Sequence, residues 1–313
     1  MGIVYRLIWL LCRFTHLLYF RKVYHKFGHK NTSFAKGKLF AANHPNSFLD
    51  AISLAIQLPY PLAFLARGDA LQGSAGKFLT KYLHLLPVWR EREGRENLKG
   101  NYNTFDLCLD IWTKGGAVII FTEGLCVNEW HLRPFPKGTA RMAQSAWEKG
   151  IDLDIIPTAF NYGHFHGPGK SLFIQTARPI EYKELFDEAP TPAIGQRRFN
   201  ELLALQLNTM VWEAKTQEEA NTYFPEEQVE SHFRRTLRKI VVAMHAPYYL
   251  PIKRFIQSKT AGTVHYDSAL FGVLLLTYPL FLVAISALFW LGFGFSPYWI
   301  LLWPGLTAVY TFT

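Results

Sequence analysis

A histidine and an aspartate six positions apart, His44 and Asp50, stand in the stretch Asn43-His44-Pro45-Asn46-Ser47-Phe48-Leu49-Asp50. Their types suit proton transfer: a neutral imidazole can take a proton from a hydroxyl, and a carboxylate on its other nitrogen fixes ring and tautomer. On one continuous helix, at about 100° per residue, the two side chains would point away from each other. The pair works only if His44 stands outside the helix. Pro45 supplies the break, because a residue before proline is pushed into extended geometry, and Asn46 or Ser47 can cap a helix expected from Phe48 to Leu58. The plainer alternative is a surface histidine followed by a first-turn acid that the helix dipole favours.

Further groups could bind an anionic substrate. Arg90 closes the run Leu86-Pro87-Val88-Trp89 and suits a phosphate contact, although Glu91, Glu93 and Glu96 offset the local charge. Glu123 and Gly124 follow the apolar run Ala117-Val118-Ile119-Ile120-Phe121, where a carboxylate is expected to face a cleft. Lys137, with Arg133 and the turn at Gly138, adds cations before a helix expected over Thr139 to Lys149.

The elements that must carry these residues alternate. Strands are expected at Leu39 to Ala42, Pro61 to Arg67, Leu86 to Arg90, Ala117 to Phe121, Ile151 to Phe160 and Ser171 to Ala177. Helices are expected between them, from Gly76 to Leu85 and Asn101 to Lys114 among others. This alternation predicts an α/β sheet whose strand tips hold the site. Pro157 inside its strand implies an edge or a bulge.

The chain has 313 residues, half of them hydrophobic, with 25 Phe, 15 Tyr and 9 Trp, so a sizeable core is available. A formal charge of +9 points to an anionic partner, and the apolar richness favours lipid among the anions. Three cysteines without C-x-x-C pairing support neither a disulfide framework nor a zinc site. Gly163 to Ser171 imitates a phosphate-binding loop, but its glycine spacing is wrong and a strand follows where a helix is needed. His164 and His166 in that loop read as surface residues, and no nucleic-acid recognition fold is apparent.

Both ends suggest a membrane. The first twenty-seven residues read as a helix lying in the membrane surface, with Arg6, Arg13 and His16 on one side and Ile3, Leu7, Leu10, Leu11, Phe14 and Leu18 over the rest. The alternative is a hydrophobic helix packed on the body. From Ser268 to Thr313 no residue is charged. Ala269 to Leu291 is long enough to span, Gly292 to Pro297 is a turn, and Tyr298 to Phe312 completes a hairpin. Lys253, Arg254 and Lys259 place its flank, and the catalytic body, in the cytoplasm. Helices over Arg197 to Lys215 and Glu226 to Met244, the latter with basic Arg234, Arg235, Arg238 and Lys239, lie between body and hairpin. The division is then 1–34 interfacial helix, 35–190 catalytic α/β domain, 191–265 helical basic segment and 266–313 transmembrane hairpin, with residues 1–265 expected to fold without the hairpin.

Four blocks in order, Asn43-His44 to Asp50, Pro87-Val88-Trp89-Arg90, Phe121-Thr122-Glu123-Gly124 and Ile155-Ile156-Pro157, resemble the glycerolipid acyltransferase superfamily over roughly residues 35 to 185. The strings Asn43 to Ala51, Glu123 to Trp130 and Lys137 to Arg141 look like a bacterial branch. The resemblance implies a mixed α/β sheet flanked by helices, His44 as catalytic base and Asp50 as its partner. It also implies Arg90 and Glu123 as acceptor contacts, Gly124 shaping the pocket, and Pro157 in an acyl or structural block. Two positions depart from the family pattern. One extra residue separates His44 from Asp50, and Leu125-Cys126 stands where Thr-Arg is usual. Lys137, Arg133 or Arg141 can replace the missing charge.

The expected activity is O-acyl transfer from acyl-CoA or acyl carrier protein to a lysophosphatidate-like lysophospholipid or glycerol phosphate at the cytoplasmic face of a bacterial inner membrane. It needs no cofactor or metal. The rivals are a non-phosphate lysolipid acceptor, such as an aminoacyl lipid, and an inactive lipid-binding protein.

Overall fold

A computed structural model describes residues 2–28, 36–89, 95–181, 185, 191–224 and 232–294. Helix α1 (Ile3–Tyr19) runs directly into strand β1 (Phe20–Phe27). Then come β2 (Gly37–Ala42), α2 (Phe48–Ala55), β3 (Leu62–Arg67), α3 (Gly73–Leu83), β4 (Leu85–Val88), α4 (Arg95–Thr113) and β5 (Ala117–Phe121). Helix α5 (Gly138–Glu148), β6 (Leu153–Tyr162), β7 (Lys170–Thr176), α6 (Pro192–Asn208), α7 (Gln217–Thr222), α8 (His232–Thr260) and α9 (Tyr266–Phe293) complete it.

The seven strands form one mixed sheet in the order β1-β7-β6-β2-β5-β3-β4. Strands β6, β2, β5, β3 and β4 are mutually parallel, while β7 runs antiparallel to β6 and parallel to β1. Parallel strands covered on both faces must be apolar throughout, and the runs Leu39-Phe40-Ala41-Ala42 and Ala117-Val118-Ile119-Ile120 meet that demand. One face carries α4, α5 and α6 through Trp112, Ala140, Ala143, Phe199 and Leu203. The other carries α1, α2 and α9 through Tyr19, Leu49, Leu54, Leu270 and Phe271. The parallel strands bring Ala42, Phe121, Arg67, Val88 and Tyr162 to one rim.

Strand β6 is internal, and Pro157 lies opposite Ala41 within it. Its carbonyl accepts from the Ala177 amide, so the missing proline N–H faces the same side, one residue past the end of the β6–β7 ladder at Thr158↔Thr176. The expected edge does not occur. The β6–β7 ladder is interrupted at the residue that has no donor, and an isolated antiparallel bridge, Ile155↔Ile180, follows it.

Three boundaries differ from expectation. The N-terminal helix stops at Tyr19, and Phe20–Phe27 joins the sheet beside β7, so the body begins well before residue 35. The helix expected at Arg197 starts at Pro192 behind Thr191, whose hydroxyl accepts from the Ile194 amide, and ends at Asn208. The basic helix extends from His232 to Thr260 through Pro247 and Pro251. Residues 225–231 and the second hairpin arm, Tyr298 to Phe312, lie outside the described residues.

Helix α1 does not lie wholly in a membrane surface. It docks on the body by a polar-edged face: the Tyr5 hydroxyl accepts from Leu62 N (3.2 Å), Trp9 Nε1 donates to the Ala55 carbonyl (3.2 Å) and His16 pairs with Ser53 Oγ (3.0 Å). His16, expected among the solvent-facing cations, is buried, whereas Ile3, Leu7 and Leu10 stay exposed. Burial pushes the His16 imidazole down to about 3. Below the unfolded value near ~6.5, the unfolded chain therefore binds a proton that the folded chain refuses, and stability falls as pH falls through that window. At pH 5 this one group should destabilise the fold by about 2 kcal/mol relative to pH 7.5. Denaturant melts at the two pH values should show that difference shrinking in His16→Gln, which keeps an amide for Ser53 and cannot titrate. An equal acid loss in the variant would remove His16 as its source.

Candidate active site

His44 follows β2 by two residues, at the rim where parallel strands present their C-terminal ends. Its ring stacks on Phe121 at 3.7 Å between centroids, and its Nδ1 lies 2.9 Å from Asp50 Oδ2. The break at Pro45 does what the spacing requires: His44 stays outside α2 and turns back over its first turn. Asp50 is fully buried and collects three donors. Besides His44 they are the Asn46 amide (2.9 Å, Oδ2) and the Tyr162 hydroxyl (2.8 Å, Oδ1). Burial raises the Asp50 carboxyl above the ordinary range, while the His44, Asn46 and Tyr162 contacts pull it back down. With Nδ1 engaged by the carboxylate, Nε2 is the nitrogen presented to a reactant.

The loop that carries His44 is held from several sides. Asn43 pins it to β6, accepting from Phe160 N (2.8 Å) and donating to the Phe160 carbonyl (3.1 Å). Asn128 Nδ2 donates to the Pro45 carbonyl at 2.7 Å. The Ser47 amide donates to Cys126 Sγ at 3.0 Å. Ser47 itself has φ 50° and ψ −139°, a conformation that favours glycine.

Glu123, at the tip of neighbouring β5, accepts the His44 amide on Oε2 and the Arg133 amide on Oε1, both at 3.1 Å. It therefore ties the histidine loop to the loop after β5. Burial raises its carboxyl above the ordinary value, and these backbone donors oppose that rise. Gly124 has φ 65°, and a Cβ there would lie 3.5 Å from Pro136 Cγ, one residue before Lys137. Lys137 is exposed at the start of α5, and Arg133 is paired with Glu129. Arg90 lies outside the described residues. Among the described residues no cluster of three His, Cys, Asp or Glu side chains is placed to hold a metal ion.

Residues 24–161 match the protein-family model described as acyltransferase. Within the matched segment fall His44, Asp50 and Glu123, and Tyr162 lies one residue beyond its end. No curated protein matches the chain. Among solved structures, the crystal structure of the 1-acyl-sn-glycerophosphate (LPA) acyltransferase PlsC from Thermotoga maritima is similar over 67% of this chain and 81% of that one, with 17% identity and a TM-score of 0.45.

Several residues around the His44–Asp50 pair escape a reading of local sequence. Tyr162 lies 112 positions from Asp50, and Asn46 Nδ2 donates to Asp267 Oδ2 (2.7 Å) across 221 positions. Lys170, in the stretch that imitates a phosphate-binding motif, opens β7 and is buried and paired with Asp267 instead. Asp267 did carry one signal: it is the last charged residue before the uncharged C-terminal run.

Proposed function

We propose that this acyltransferase moves a fatty acyl group from the thioester of acyl-CoA or acyl carrier protein to the hydroxyl of a lysophospholipid or glycerol phosphate, at the cytoplasmic face of a bacterial inner membrane. The observation that carries the reading is the His44 Nδ1–Asp50 contact at a strand tip, which leaves Nε2 to act as general base. In the reaction, Nε2 takes the acceptor's hydroxyl proton as that oxygen attacks the thioester carbonyl. The tetrahedral oxyanion then collapses, the C–S bond breaks, and the imidazolium returns its proton to the leaving thiolate. No covalent enzyme intermediate is needed. The Glu123–His44 N–H bond holds the loop still while the ring works, and Tyr162 and the Asn46 amide keep the Asp50 carboxylate aimed.

Membrane attachment is supported by α9. Its stretch Tyr266–Gly292, 27 residues, is long and apolar enough to cross a bilayer, and it leaves Leu276, Leu280 and Leu291 exposed. The exposed apolar positions of α1 and Lys239 on α8 fit the same surface.

Arg90 and Lys137 are the cations assigned here to the acceptor's phosphate. One observation favours a non-phosphate acceptor. Cys126 replaces the family's usual arginine, and its sulfur is turned onto the Ser47 amide. The test is thiol release from acyl-CoA by purified protein over a panel of acceptors, wild type against Arg90→Ala and Lys137→Ala. On lysophosphatidate, Arg90→Ala should cost roughly 1.5 to 3 kcal/mol in kcat/KM, with donor kinetics little changed. An unchanged ratio of lysophosphatidate to uncharged lyso-acceptor in both variants would assign the acceptor to the non-phosphate class.

A further inference from the structure

We propose that Asp267, together with Ser268, is a positioning residue for acyl transfer: the first turn of the apolar helix α9 holds the strained Asn46-Ser47 turn that aims His44. This rests on the acyltransferase reading with His44 as base.

The turn needs holding. A non-glycine residue in the Ser47 conformation is strained and persists only where its surroundings over-determine it. Much of that determination comes from α9 and the residue before it. Asn46 Nδ2 donates to Asp267 Oδ2 (2.7 Å), Ser268 Oγ donates to the Asn46 carbonyl (3.2 Å) and accepts from Leu49 N (3.4 Å), and Ser47 Oγ is hydrogen-bonded with His265 Nδ1 (2.9 Å).

Asn46 is the joint of this arrangement. Its backbone N–H goes to Asp50 Oδ2, the same oxygen that faces His44 Nδ1, and its side chain goes to Asp267. The Asn46 Oδ1 atom is buried and has no partner among the described residues, so Asp267 alone orients the amide. A displacement of Asn46 therefore moves the carboxylate's donor and the ring it orients together. Asp267 is itself rigidly placed: Tyr19 and Gly167 N (2.9 Å) donate to Oδ1, and Lys170 donates to Oδ2. A carboxylate present only to neutralise Lys170 would have no need to engage the loop that carries the base.

The test compares the full chain in detergent or vesicles with Lys170→Met/Asp267→Leu. This double substitution removes both buried charges together, so neither is left unpaired, while Tyr19, Gly167 N and Asn46 lose their acceptor and some stability with it. The folded fraction is measured by the amplitude of the cooperative melt, and turnover is stated per folded molecule. Turnover should fall about 10- to 100-fold with KM for donor and acceptor nearly unchanged, since a misplacement near 1 Å can cost ~10²-fold. The separating measurement is a cycle with Asn46→Ala. That substitution lowers kcat by itself, and adding Lys170→Met/Asp267→Leu should lower it no further, because both act through one contact. Losses that multiply in full, or wild-type kcat in the double variant, would overturn the positioning role. If the double variant does not fold, Ser268→Ala deletes one buried oxygen. It should lower kcat several-fold at unchanged KM, and an unchanged kcat there would overturn the proposal. Wild-type protein comes first: no thiol release over the whole panel removes the acyltransferase reading itself, whereas normal wild-type turnover with unaffected variants removes only the role of α9.

Discussion

Replacing His44 by alanine is expected to lower turnover by roughly 10²- to 10⁴-fold, the range for loss of a general base, while the chain remains folded. The ring stacks on Phe121 and is 18% exposed, so its removal opens a partly solvated gap and leaves one Asp50 donor missing out of three. The Asn46 amide and the Tyr162 hydroxyl still satisfy that carboxylate. Its buried charge does lose one donor, which should cost a few degrees of melting temperature without preventing folding. Asp50→Asn should damage both properties. An amide that keeps its oxygen on the Asn46 N–H turns its NH₂ to the Tyr162 hydroxyl, which must then accept and give up its own bond to this side chain. A neutral oxygen also no longer stabilises the imidazolium formed at His44. The activities of the two variants should not multiply in the combined His44→Ala/Asp50→Asn chain, because the carboxylate acts through the imidazole. Thiol-release rates for the four proteins, each normalised by its melt amplitude, check this. Wild-type turnover in folded His44→Ala would remove the mechanism.

The central strands were readable from sequence because parallel strands buried on both faces must be apolar and must end at turn residues. Ala117–Phe121 and Leu62–Arg67 end where those rules place them, within a residue. The His44–Asp50 contact was readable for the same kind of local reason, since a proline after the histidine fixes where helix geometry begins. Strand β1 was not readable. As an edge strand it carries Arg21, Lys22, His25 and Lys26, charges that blunt an edge and erase the apolar alternation that would announce it. Glu123 was placed correctly at a strand tip, but its use was not predictable. Which backbone amides it meets depends on β5 lying beside β2, and that adjacency is a property of sheet order. Tyr162, Lys170 and Asp267 leave no periodic trace because each meets its partner only after the whole sheet has formed.

The same long-range contacts reverse the expectation that residues 1–265 fold without the hairpin. Removing everything after residue 265 takes away Leu270 and Phe271, both fully buried against Tyr19, Leu49 and Leu54. Losses of buried leucine and phenylalanine side chains each cost about 2–5 kcal/mol. It also takes Asp267 from Lys170, whose side chain is wholly buried, and breaking a buried pair from one side costs about 3–5 kcal/mol. Together these reach the ~5–15 kcal/mol that holds a typical domain together, before the strained turn at Ser47 loses its anchors. The truncated chain is therefore expected to show no cooperative melt and no thiol release in any detergent. Leu276→Ser and Leu280→Ser, on the exposed face of the same helix, should melt like wild type in detergent and lose only affinity for vesicles. The comparison separates two roles of α9 along its length: its first turns complete the enzyme body, and its later turns present apolar surface. A cooperative melt from residues 1–265 at wild-type temperature would show that the body does not depend on that first turn.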